Sequence, residues 1–75
     1  MITLYRKNRP WSGLPRADYV RVVSKTPELI EGFRVFGGRL AKEPVGAGYL
    51  EQYGAWYHPA TSWEIEEYRR MGGIT

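Results

Sequence analysis

The chain has 75 residues, 43% apolar and 25% charged, with 11 Lys or Arg against eight Asp or Glu, one His and no Cys. A chain this short forms one domain with a thin core, burying only about 60% of the surface its unfolded form exposes. The counts exclude a disulfide framework and a zinc site built on His and Cys, and the ordinary apolar fraction excludes wholesale disorder.

In chain order, Ile2-Thr3-Leu4-Tyr5 reads as a short first strand. From Arg6 to Ala17 no periodicity survives, because Pro10, Gly13 and Pro15 interrupt every helical or strand template. A dozen structureless residues is long for so small a domain, and long loops tend to be functional. Tyr19-Val20-Arg21-Val22-Val23 reads as a strand. Thr26-Pro27-Glu28 then presents a hydroxyl cap, a proline and a first-turn carboxylate, and Leu29, Ile30, Phe33 and Phe36 follow at helical spacing. The expectation is a helix that ends at Gly37-Gly38, with Gly32 unfavourable inside it by about 1 kcal/mol.

Arg39-Leu40-Ala41 fits a short strand before the turn-prone Glu43-Pro44-Val45-Gly46. Tyr49–Tyr53 fits either one helical turn or an extended segment, and Trp56-Tyr57 reads as strand. Thr61 with Glu64 forms a capping box for a last helix, whose buried stripe is Ile65, Tyr68 and Met71 and which Gly72-Gly73 end. The order predicts a small single α+β domain, residues 1–75, with a short β-sheet, two short helices and a basic loop at about 6–17. No apolar run reaches the roughly 20 residues of a membrane span, and Met1-Ile2-Thr3 begins no signal peptide, so a cytoplasmic location is expected.

The charge is laid out unevenly. Residues 1–42 carry nine Lys or Arg against three acids, and residues 43–75 carry two against five. Such asymmetry points to a binding surface of one sign. The aromatic residues are Tyr and Trp more than Phe, types that suit half-buried and interfacial positions.

Catalysis has little to work with. Thr26 and Thr61 are occupied as caps, and His58 between Tyr57 and Pro59 lacks a visible orienting partner. Glu64, Glu66 and Glu67 belong to a helix N-terminus, where the dipole accounts for them. Gly46-Ala47-Gly48 lacks the Gly, Lys and hydroxyl of a phosphate-binding loop. No enzyme activity, metal or cofactor is expected.

Nucleic acid is a secondary partner class. Arg6, Lys7, Arg9 and Arg16, interleaved with Tyr5 and Trp11, suit phosphates and bases, but no DNA- or RNA-binding motif accompanies them. A protein-interaction module explains more, because Arg, Trp and Tyr are the residue types that dominate interface energetics. Trp11 is expected as an apolar anchor with Arg6, Lys7, Arg9 and Arg16 around it. Tyr49, Tyr53, Trp56 and Trp63 form a second candidate patch.

With its basic stretch Leu4-Tyr5-Arg6-Lys7-Asn8-Arg9-Pro10-Trp11, its two capped helices and its size, the chain resembles the small cysteine-free regulators that bacteriophages encode to redirect host machines. Among these it is most similar to inhibitors and antiterminators of bacterial RNA polymerase. The resemblance implies a non-enzymatic protein that occupies a surface of a larger host assembly in the bacterial cytoplasm. Anti-CRISPR proteins, which bind or mimic nucleic acid, are the alternative class it implies.

Overall fold

The computed structural model describes residues 3–8, 14–26 and 28–74. Five strands form one antiparallel sheet: β1 Thr3–Lys7, β2 Tyr19–Lys25, β3 Glu28–Phe36, β4 Arg39–Glu43 and β5 Tyr57–Pro59, in the order β4-β3-β2-β1-β5. Helix α1, Tyr49–Tyr53, runs into a single 3-10 turn at Gly54–Trp56, and α2 spans Ser62–Arg70. The domain is α+β with two short helices. No helix among the described residues is long and apolar enough to cross a membrane.

The expected helix after Thr26 is instead β3, the longest strand. Thr26 sits in the turn between β2 and β3, where its N–H donates to Ser24 Oγ at 3.3 Å, and Pro27 lies outside the described residues. The pattern that decides this is Phe36-Gly37-Gly38-Arg39. Both glycines have positive φ, 59° and 75°, which is what a two-residue hairpin turn between twisted strands requires. Glycine pairs stop helices and turn hairpins alike, so the choice rests on the flanking strands. β3 pairs with β2 on one side and β4 on the other.

Gly32 then has a packing reason to lack a side chain. A Cβ there would stand 2.5 Å from Val45 Cγ1 and 2.8 Å from the carbonyl oxygen of Glu43, its cross-strand neighbour. The first strand runs two residues past its expected end, so Arg6 and Lys7 belong to β1 and not to the loop. The segment left open at Tyr49–Tyr53 is helical. Trp56 closes the 3-10 turn, and Tyr57 begins β5.

Alternation along the strands gives the sheet two apolar faces. On one, Leu4, Tyr19 and Tyr68 of α2 form a buried cluster joined by Phe33, Leu40, Ala60, Ile65 and Met71. Tyr68 packs on Tyr19 with ring centroids 5.1 Å apart and meets Phe33 edge-on at 5.7 Å. On the other face, Ala17, Val20 and Tyr57 pack with Tyr5, Ile30, Val45 and the α1 residues Tyr49, Leu50 and Tyr53. The two helices therefore cover opposite faces.

α2 starts where the sequence places it. Glu64 N–H donates to Thr61 Oγ1 at 3.2 Å, and Thr61 N–H donates to Glu64 Oε1 at 2.9 Å. Thr61→Ala removes the cap at a cost of about 1 kcal/mol. That lowers the melting temperature by roughly 4–8 °C in a domain of this size. Thr26→Ala, which removes no cap, should leave the melting curve almost unmoved. Circular dichroism melts of the two variants check this pair.

Candidate interaction surface

Strand register gathers one end of the sheet. The last residues of β1 and β3 lie there, with the first residues of β2, β4 and β5. The connection from β1 to β2 crosses the same end, and its returning limb is bolted down. Lys7 Nζ donates to the Pro15 carbonyl at 2.9 Å, Tyr57 Oη donates to the Ala17 carbonyl at 2.6 Å, and Ala17 N–H donates to Tyr49 Oη at 3.3 Å. Burial, together with the hydrogen bond to Tyr49, pushes the Tyr57 hydroxyl far above its ordinary pKa, so it remains a donor.

The residues expected to form a basic arm divide accordingly. Lys7 is turned inward: its side chain is 2% exposed, and its ammonium faces Pro15 and the Asp18 carboxylate, 3.5 Å away. Arg6 is half-buried, lies 4.8 Å over the Tyr19 ring and donates to the Asp18 carbonyl at 3.2 Å. Neither is a freely projecting charge, because the β1 register buries one and lays the other across an aromatic ring. Arg16 is exposed. Arg9 and Trp11 lie outside the described residues.

The second expected patch does not assemble on one surface. Tyr49 and Tyr53 pack under α1 on one face, whereas Trp63 stands on α2 over the other, 65% exposed. Trp56 is exposed at the gathered end of the sheet, where its carbonyl accepts from the Asn8 N–H at 2.7 Å.

Sequence reasoning missed the tip of the β3–β4 hairpin. Residues 34–36 pair with residues 39–41 and extend past the start of β2, whose first residue, Tyr19, pairs with Phe33. Arg34, Phe36 and Arg39 share one face of this ribbon, and Phe36 is 70% exposed. The Arg34 guanidinium lies 5.9 Å from the Phe36 ring centre. Arg34 and Arg39 make no ion pair among the described residues, whereas Arg21 and Lys42 are both paired with Glu31, at 2.6 and 3.0 Å. The signal was available as Gly-Gly between two β-prone runs.

The carboxylate at this end is Asp18, and it is already committed. Its Oδ2 accepts the Val35 N–H at 2.8 Å, and its Oδ1 faces Lys7 and Arg6. Exposed Leu14, Val35 and Trp56 add apolar area beside Arg16, Arg34 and Arg39. The result is a basic surface with an aromatic centre.

His58 is engaged on both ring nitrogens. Nδ1 lies 2.7 Å from Asn8 Oδ1 and Nε2 lies 2.8 Å from Glu64 Oε1, so the ring ties β5 to the end of β1 and to the start of α2. Burial acts to raise the Glu64 carboxyl, but the Thr61 N–H and the His58 ring outweigh it and hold the group below the usual carboxylate range. Among the described residues no group of three or more His, Asp or Glu is placed to hold a metal ion. Compared with protein families, curated proteins and solved structures, the chain matches none.

Proposed function

We propose that the chain is a non-enzymatic protein-binding regulator that docks the basic end of its sheet onto an acidic, partly apolar surface of a larger protein. The observation that carries this reading is the hairpin tip, with exposed Phe36 between Arg34 and Arg39 and no carboxylate within residues 34–41 of the ribbon. An aromatic flanked by arginines is the composition of an interface hot spot, and uncompensated charge of one sign steers encounter with a surface of the other. Aliphatic Leu14 and Val35 at the same end favour a protein over a nucleic acid, because they offer neither charge nor a stacking face. His58, held at both nitrogens, serves as a brace and not as a base.

Bacterial RNA polymerase, the partner class that the resemblance implies, is the first assembly to test. The purified domain should bind purified polymerase in calorimetry or interferometry and keep that binding at about 0.2 M salt, since buried contacts are screened less than exposed ones. Phe36→Ala, and separately Arg34→Glu with Arg39→Glu, should each weaken the complex by about 30-fold, the equivalent of 2 kcal/mol. No binding to polymerase would remove that partner. Submicromolar binding to a bare oligonucleotide that falls steeply with salt would replace the reading with the nucleic-acid one.

A further inference from the structure

The opposite end of the sheet has the complementary character. On β3 the residues facing α1 are Glu28, Ile30, Gly32, Arg34 and Phe36, so one strand face runs from a carboxylate to the basic hairpin tip. At the Glu28 end a cavity of about 400 Å³ opens between α1 and the sheet, lined by Tyr5, Val22, Ile30 and Leu50 with Glu28 and Glu51 among its walls. This volume lies within the range of ordinary ligand pockets. Both glutamates are exposed, and Glu43, the last residue of β4, stands further along the same face opposite Gly32. Backbone register sets Lys25 opposite Glu28.

We propose that these ends dock on each other between copies: the hairpin tip of one molecule, Phe36 with Arg34 and Arg39, seats in the Glu28–Glu51 groove of the next. The two patches cannot meet within one molecule. Glu28 and Phe36 are the first and last residues of the same nine-residue strand, roughly 27 Å apart at about 3.4 Å per residue. Because both patches lie on one strand face, two copies can pair antiparallel about a two-fold axis and make the contact twice, or make it singly and propagate it head to tail. Charge complementarity sets the pairing, and Phe36 supplies the apolar body for the groove. The inference shares with the reading above the premise that the hairpin tip is a docking element, but it needs no foreign partner.

Sedimentation velocity of the intact chain at 50 mM salt should show an average mass that rises with concentration above that of the monomer and falls back at 0.5 M salt. Arg34→Glu with Arg39→Glu, and separately Glu28→Lys with Glu51→Lys, should each be monomeric and should melt like the parent, since all four side chains are exposed. Mixed in equal amounts, the two variants should associate again, because the native tip of one meets the native groove of the other and the reversed tip meets the reversed groove. The chain carrying all four changes should associate again.

A parent that stays monomeric at millimolar concentration and 50 mM salt overturns the proposal. So does a variant pair that fails to complement. The groove variant also separates this inference from the proposed function. It should lose self-association while still binding the foreign partner, and only the hairpin variant should lose both.

Discussion

Asp18→Ala should remove a large share of the protein's stability. Its carboxylate accepts the Val35 N–H and faces the ammonium of Lys7, whose side chain is 2% exposed. Removing it leaves a buried cation that donates to the Pro15 carbonyl and, among the described residues, has no other carboxylate paired with it. Breaking a buried pair from one side costs about 3–5 kcal/mol, because the surviving charge has lost its water and its partner. A domain of this length has only about 4–11 kcal/mol in total, at roughly 0.05–0.15 kcal/mol per residue. Urea titration should therefore show the midpoint collapse, and the melting temperature should drop by at least about 12 °C. Adding Lys7→Met should restore a good part of the loss, since removing both charges leaves no buried ion. A variant that melts within a few degrees of the parent would show that Lys7 is hydrated and that the loop is not bolted to β1.

Tyr68→Ala should be nearly as damaging, and Trp63→Ala almost silent, although both aromatics stand on α2. Tyr68 is 1% exposed and closes the cluster on Leu4 and Tyr19, with its ring against Tyr19 and Phe33. Truncating a buried aromatic costs about 3–5 kcal/mol through lost burial and the cavity left behind. Trp63 is 65% exposed, and surface substitutions usually stay within about 0.5 kcal/mol. Equilibrium unfolding of the two variants gives the comparison directly. Equal losses would mean that α2 is rotated about its axis from the orientation described.

What could be read from the sequence was whatever local chemistry decides. The strand at Tyr19–Val23 alternates and is β-branched, and it is there within β2. The capping box at Thr61 and Glu64 is a reciprocal pair of hydrogen bonds three residues apart, and it forms. The α+β class and the boundary at Gly37-Gly38 were equally accessible, since both follow from short-range pattern.

Tertiary structure decided the rest. Thr26-Pro27-Glu28 and the spacing of Leu29, Ile30, Phe33 and Phe36 satisfy a helix locally, and a cap is worth only about 1 kcal/mol. Two neighbouring strands, β2 and β4, offer the same nine residues a full set of backbone partners, and that non-local pairing overrides the local preference. The basic surface followed the same rule. Its sign was visible in the first 42 residues, and so was Arg16, but Arg34, Phe36 and Arg39 were not. The β1 register turns Lys7 inward and lays Arg6 over Tyr19, while the hairpin brings Arg34 and Arg39 onto one face with Phe36. Which charges a surface presents depends on strand alternation and register, and register is set by partners far away in the chain.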